Sequence, residues 1–310
     1  MTWAPDPDAF VRDLEAKPGA LRDLVPSLGS DPWRGLDKTA RIVCIGMGSS
    51  RFAALPIAGV LRAQGRDVVV ERSSATEATP AAPGTIAIAI SASGSTPETV
   101  DALIRHRAGG STAIAITNTD DAPLAAAADR HVVLRAGDEA GGVACRTFQH
   151  TIALLLALVD PERAAAAVGR AADATEDLLD RRQTWVPQAV AELGDGPVFL
   201  IAPEERIGSA EQGALMFREG PRVHADACET GDWLHVDVYL TKPLEYRALL
   251  FTGSRFDGEV RRWIDERSGS VVSVGAGGIR YRGDDDPDTA LLTETLVPEL
   301  IAADVWRRQA

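Results

Sequence analysis

The stretch AIAISASGSTPETV, Ala87 to Val100, decides how this chain is read. Ile86 to Ile90 is an unbroken apolar run, the length and composition of a strand covered on both faces. It stops at Ser91-Ala92-Ser93-Gly94-Ser95-Thr96, and Pro97-Glu98-Thr99 then opens a helical pattern. Proline in a first helical turn costs no hydrogen bond. A turn between a strand's C-terminal end and a helix N-terminus exposes unpaired amides and the positive end of the helix dipole, which favour an anion. Serine and threonine hydroxyls add donors. The Gly-x-x-x-x-Gly-Lys-Ser/Thr pattern of triphosphate loops is absent, so the turn suits a single phosphate monoester carried by a small molecule. The plainer alternative is an ordinary capped helix, where Ser and Thr are common. Four hydroxyls in six residues exceed what one cap uses.

Around this stretch, apolar runs alternate with helical patterns. Strands are expected at Arg41–Ile45, Asp67–Glu71, Thr85–Ile90, Thr112–Ile116 and His131–Leu134. Helices are expected between them at Phe52–Ala63, Pro97–His106 and Pro123–Ala127, with Arg146–Leu158 following. Such alternation implies parallel strands with crossover helices. A helical stretch over 8–26, broken or kinked at Lys17-Pro18-Gly19, precedes them. After an Ala-rich connector at Asp160–Arg182 the alternation restarts, with strands at Val198–Ala202, Ala248–Thr252 and Ser270–Val274. Helices are expected at Ser209–Glu219, Asp257–Asp265 and Leu291–Arg308. In this second half the counterpart of the opening turn is Gly253-Ser254-Arg255-Phe256-Asp257, which lacks the hydroxyl cluster.

Composition narrows the partners. The 310 residues carry a formal charge of -13 and 45% hydrophobic residues, enough for a sizeable core and unsuited to a phosphate backbone. Nucleic acid is therefore not an expected partner. Cys44, Cys145 and Cys228 are far apart, with no Cys-x-x-Cys, which fits a reducing cytoplasm and no zinc site. The N-terminus Met1–Asp6 is acidic where a signal peptide is basic, and no apolar run reaches 18 residues, so no membrane span is expected. Neither a metal nor a cofactor is expected. A second turn, Gly46-Met47-Gly48-Ser49-Ser50-Arg51, has the setting of a dinucleotide fingerprint, with Glu71 where a ribose-binding acid would stand. The match is incomplete, because Arg51 occupies the third glycine position.

These two turns, in this order, resemble the sugar isomerase (SIS) domain family, and within it the tandem-SIS isomerase half of the glucosamine-6-phosphate synthases (glutamine:fructose-6-phosphate aminotransferases). FVRDLEAKPGAL (10–21) is similar to that family's opening helix, GMGSS to its C-G-T-S turn and SASGSTPET to its phosphate loop. AGDEAGGVACRTF (136–148) and ALMFREGPRVHADACETGDWLH (214–235) match two later segments. The resemblance implies an α/β fold of two tandem SIS domains, each a three-layer α/β/α unit around a parallel sheet. The expected division is an N-terminal helical segment (1–35), a first SIS domain (36–160), a connecting helix (161–190) and a second SIS domain (191–310). It further implies that Ser91, Ser93 and Thr96, with Ser95 nearby, bind a sugar phosphate, and that Ser49 and Ser50 complete the binding set. Glu219 would be the base moving a proton between C1 and C2. His235 would open the sugar ring from across a homodimer interface, with Trp233 as an interface anchor. On their own, Glu219 reads better as a solvated helix-end acid and His235 as a packed or surface histidine.

The departures are specific. The glutaminase domain and the lysine-bearing C-terminal tail of the synthases have no counterpart, and the only lysines are Lys17, Lys38 and Lys242. Met216 and Arg218 stand where that family has lysines, and Ala92 where it has a glutamine. The expected activity is thus isomerisation of an aldose or ketose phosphate, or deamination of an amino-sugar phosphate. A non-catalytic phosphosugar sensor, or a partner subunit of a separate amidotransferase, is the competing expectation.

Overall fold

The computed structural model describes residues 6–194 and 196–309; Met1 to Pro5 of the acidic N-terminus lie outside them. In chain order the elements begin with α1 (Pro7–Glu15), α2 (Lys17–Gly29), β1 (Arg41–Gly46), α3 (Ser49–Ala63) and β2 (Val68–Arg72). They continue with β3 (Thr85–Ile90), α4 (Pro97–Ala108), β4 (Thr112–Thr117), α5 (Pro123–Ala127), β5 (Arg130–Val133) and α6 (Arg146–Leu156). Next come α7 (Pro161–Asp180), α8 (Arg182–Leu193), β6 (Val198–Ala202), α9 (Ile207–Glu219), β7 (Ala225–Glu229) and α10 (Thr230–Trp233). The chain closes with β8 (Arg247–Phe251), α11 (Asp257–Asp265), β9 (Ser270–Val274), α12 (Pro287–Thr293) and α13 (Leu296–Gln309). Two compact units result. One comprises Asp23–Asp138 and Arg146–Ala166; the other comprises the described parts of Met1–Arg22, Glu139–Cys145 and Ala167–Ala310.

The first unit holds a five-stranded parallel sheet in the order β2-β1-β3-β4-β5. Its central strands alternate Ile and Ala. Ala87, Ala89, Ala113 and Ala115 line one face with Val43 and Ile45, and Ala102 and Leu103 of α4 pack on them. Small residues on that face let the helix lie close to the sheet, which sets where the turn before α4 falls. The order reverses between β1 and β3, and at such a switch point two βα turns splay apart at the strands' C-terminal ends, leaving a crevice. Those are the turns Gly46–Ser49 and Ser91–Thr96.

The second unit repeats the theme with the parallel order β7-β6-β8-β9. Phe199 and Tyr246 stack at 4.3 Å between ring centroids, and the Trp233 indole N–H donates to the Tyr246 hydroxyl at 2.7 Å. Trp233 is fully buried within its own chain. It is therefore a core residue and not the interface anchor expected from sequence. Three other differences stand out. The break in the N-terminal helical stretch falls at Ala16, one residue before Lys17, and Gly19 sits inside α2. The closing helix is two helices, α12 and α13, separated at Glu294-Thr295. Strand β7, at the sheet edge, lies inside the segment that the sequence marked only as a motif.

Among the described residues no helix is long and apolar enough to cross a membrane, and no group of His, Cys, Asp and Glu is arranged to hold a metal ion.

Candidate functional site

The first unit places Ser49 and Ser50 at the start of α3, and Ser91, Ser93, Ser95 and Thr96 on the turn before α4, both at the switch point between β1 and β3. Gly48, at the N-cap of α3, has a φ of +48°, and no side chain caps that helix. The Ser49 and Ser50 hydroxyls are half-buried and make no hydrogen bond among the described residues.

The second turn is braced from behind. Its main chain is tied to the β4–α5 connection, with Asn118 N–H donating to the Ala92 carbonyl and Leu124 N–H to the Gly94 carbonyl, both at 2.9 Å. Gly94 has a φ of +62°, and a Cβ there would sit 2.4 Å from the Ala122 methyl. Its smallness thus serves packing against the scaffold as much as access from the front. Ser91 is buried, and its hydroxyl meets the Thr96 hydroxyl at 3.1 Å. Ser95 donates to the Ser93 hydroxyl at 2.9 Å, and both side chains are exposed. Thr96 occupies the N-cap of α4 without making a capping bond. That observation bears on the ordinary-cap alternative: the residue in the capping position spends its hydroxyl inside the turn, and no side chain caps the N-terminus of α4. The pieces of a dinucleotide site fare less well. The Glu71 carboxylate accepts the N–H of Thr79 at 2.6 Å and its hydroxyl as well, so it is engaged within its own loop.

The second unit carries the other candidates. Glu219 ends α9 and is half-buried. Burial raises its pKa, and the negative charge of Glu139 adds to the rise against the lowering effect of Arg218. Glu139 itself accepts the Cys145 N–H at 2.7 Å, Asp13 of α1 accepts the Gly141 N–H at 2.7 Å, and Gln212 of α9 donates to the Ala144 carbonyl at 2.8 Å. The 139–145 segment is thus pinned between α1 and α9. Any side chain at Gly141 would run into the Phe10 backbone, at 2.4 Å. His235 follows α10, is exposed, and its ring has no hydrogen-bond partner among the described residues. His224 pairs instead with Asp226 at 2.8 Å on the surface.

The nucleophile inventory is short. Cys145 is fully buried, and burial and the surrounding carboxylates hold its thiol well above the usual range. Burial pushes Cys44 up to about 12, and burial together with Asp237 and Asp232 pushes Cys228 up to about 12. All three are protonated at neutral pH, so none supplies a thiolate. Lys38 and Lys242 are exposed. Lys17 is the unexpected one: its ammonium forms an ion pair with Glu299 of α13, both side chains fully buried. Burial raises Glu299 to about 7 despite that cation. The signal for Lys17 was present in the sequence, because Phe10, Leu14, Lys17 and Leu21 fall at spacings of four, three and four, the stripe of a buried helix face. A second pair, Arg206 with the fully buried Glu294, had no such signal.

Residues 35–160 match the SIS domain. Among curated proteins, the chain is 24% identical over 245 residues to the glutamine–fructose-6-phosphate aminotransferase [isomerizing] of Sulfurisphaera tokodaii, covering 76% of this chain and 42% of that protein. It is 28% identical over 279 residues to that of Aeropyrum pernix, covering 78% and 44%. The chain thus spans less than half the length of these relatives. Among solved structures, the C-terminal domain of glucosamine-fructose-6-phosphate aminotransferase from Francisella tularensis superposes with a TM-score of 0.83 at 17% identity, covering 96% of both chains. Tagatose-6-phosphate ketose/aldose isomerase from Escherichia coli gives 0.80 at 17% identity, covering 99% and 96%. Glucosamine-6-phosphate deaminase from Thermotoga maritima gives 0.78 at 17% identity, covering 97% and 95%. Residues 35–160 thus carry a SIS domain, and the chain as a whole shares the fold of these solved structures.

Proposed function

We propose that this chain binds a sugar 6-phosphate at the Ser91–Thr96 turn and catalyses a proton transfer between C1 and C2, isomerising the sugar or deaminating an amino sugar. The carrying observation is the turn at the β1/β3 switch point, where α4 lacks a side-chain cap and four hydroxyls gather. Ser93 and Thr96 would hold the phosphate with Ser91 and Ser95, and Ser49 and Ser50 the sugar. Glu219 is the proposed base. Its raised pKa suits that work, since a base titrating closer to neutral pH accepts a carbon-bound proton more readily than an ordinary carboxylate. Neighbours of the same fold include an isomerase and a deaminase by name, and both chemistries proceed through an enediol or enolamine. A lysine-dependent imine route has little support: Lys17 is buried in an ion pair, and Met216, in a lysine's place, is fully buried.

We further propose a homodimer through the segment after His235. Val236, Tyr239, Leu240 and Leu244 are four of the six large hydrophobic side chains exposed on the described chain, and they follow one another within nine residues. This patch replaces Trp233 as the proposed interface. Apolar side chains grouped in this way mark an association surface more often than solvent-facing chance does.

The non-catalytic sensor keeps one specific support, the replacement of a family lysine by Met216. A single experiment separates the readings. Incubation with hexose and aminohexose 6-phosphates in deuterated water, followed by NMR, should show deuterium entering at C1 or C2. Glu219→Gln should slow that exchange about a hundredfold to ten-thousandfold with sugar-phosphate affinity retained. The base works as the carboxylate, so the rate should rise with pH through the Glu219 titration, with its acid limb displaced above the ordinary glutamate range. Glu139→Gln removes a charge that raises Glu219, and the limb should move to lower pH. Binding without exchange would establish the sensor.

A further inference from the structure

The two sheets end differently. In the first unit β5 lies beyond β4; in the second, β9 is the edge, with no fifth strand among the described residues. Against that edge lies a cavity of about 500 Å³, formed entirely by residues of the second unit. This volume falls in the range of small-molecule sites, about 300–1,000 Å³.

Its walls are chemically one-sided. Arg181, Arg261 and Arg280 line it, against the single carboxylate of Glu192, in a chain whose net charge is -13. Arg181 and Arg280 are each fixed by a two-bond ion pair, to Asp177 and Asp284, neither of which lines the cavity. Arg261 has no carboxylate partner among the described residues; its guanidinium donates only to the Ala276 carbonyl, at 3.2 Å. The floor is the Trp185 ring and the strand edge. Ser270 N–H bonds Tyr246 on the β8 side at 2.8 Å, and the Ser273 carbonyl accepts from Ile279 on the other at 2.7 Å. Alternation along a parallel strand therefore turns the Val271 N–H and carbonyl toward the cavity. The facing wall is held flat by Gly278, where a Cβ would lie 2.1 Å from the Ser273 carbonyl oxygen.

We propose that this cavity is a second ligand site, which takes a phosphate monoester on a ring-sized body, with Arg261 as the principal anchor. The guanidinium fork matches phosphate oxygens, and Arg261 is the one of the three not already committed to a carboxylate. The Trp185 ring and the Val271 backbone receive the body. The phosphate could be carried by a nucleoside or by a sugar, and both share this chemistry.

The test uses the full chain carrying Ser93→Ala and Thr96→Ala, which weakens the Ser91–Thr96 turn, so that binding lost on Arg261→Ala is assigned to this cavity and not to the catalytic site. Calorimetric titration with adenosine monophosphate and with glucose 6-phosphate should still show saturable binding to one site. Arg261→Ala should weaken it about tenfold or more, and Gln188→Trp, at the exposed mouth, should block it. Tighter binding of adenosine monophosphate identifies a nucleotide ligand, and tighter glucose 6-phosphate a sugar phosphate. Absence of binding by both compounds, or binding unaltered by both Arg261→Ala and Gln188→Trp, overturns the proposal. Because both substitutions lie away from the folded core, melting temperatures within a degree or two of the parent should accompany either result.

Discussion

The turn after β3 and the turn after β8 stand at equivalent positions of two sheets, and only one is left open. After β3, the hydroxyls of Ser91, Ser93, Ser95 and Thr96 bond among themselves and no side chain caps α4. After β8, the chain supplies its own occupants. The Asp257 carboxylate accepts the Gly253 N–H at 2.7 Å, and the Arg206 guanidinium bonds both the Thr252 carbonyl and the buried Glu294. A Cβ on Gly253, whose φ is +139°, would lie 2.7 Å from that guanidinium. An acidic side chain thus sits where an external anion would sit, and a cation fills the space beside it. Strand order fixes where a crevice between turns can form, and the loop side chains decide whether it is filled from within.

The strongest way to probe the filled turn is Arg206→Met. It strands Glu294, which is fully buried and already raised by burial, without its cation. Unfolding in urea should show a loss of about 3–5 kcal/mol, largely restored when Glu294→Leu is added. If the single variant is as stable as the parent, the pair is not what holds this turn. The open turn should behave in the opposite way. Ser93→Ala with Thr96→Ala should weaken sugar-phosphate or inorganic phosphate binding about tenfold to a hundredfold, with unliganded stability within ~1 kcal/mol of wild type. A thermal-shift titration reads both quantities, because a ligand stabilises the native state by mass action. Unchanged affinity would remove the contrast between the two turns. The smallest effect is expected from Asp257→Ala, which frees an exposed Gly253 N–H at a cost of about 1 kcal/mol. It should add no phosphate site in the second turn, because Arg206 still fills it; a new site appearing there would mean that Asp257 alone keeps the crevice closed.

Much of this was legible in the residues. The Ile-Ala strand, the proline at the start of α4 and the hydroxyl turn between them carry strong local signals, and every strand of the first sheet appears where apolar runs place it. The rest was obscured for physical reasons. Strand β7 reads Ala-Asp-Ala-Cys-Glu, with no β-branched or aromatic residue, because an edge strand of half-exposed residues need not be apolar. Trp233 looked like an interface residue because the resemblance places its segment against a neighbouring subunit, yet Tyr246, thirteen residues on, supplies its hydrogen-bond partner. The Arg206–Glu294 pair joins residues 88 apart and carries no periodic signature. The break at Glu294-Thr295 lies in a run that reads as continuous helix, although Pro298, four residues after Glu294, has no N–H to carry the ladder through it.

Lys17 has a consequence for watching this protein move. Of its three primary side-chain amines, two are exposed and one is sealed against Glu299. An amine-reactive reagent will therefore label Lys38 and Lys242 promptly, and Lys17 only when the contact between the N-terminal helices and α13 comes apart. Mass spectrometry of that one peptide over time becomes a clock for this opening, separable from global unfolding by its dependence on denaturant. No tag needs to be introduced, because the chain's own scarcity of lysine makes it its own footprint.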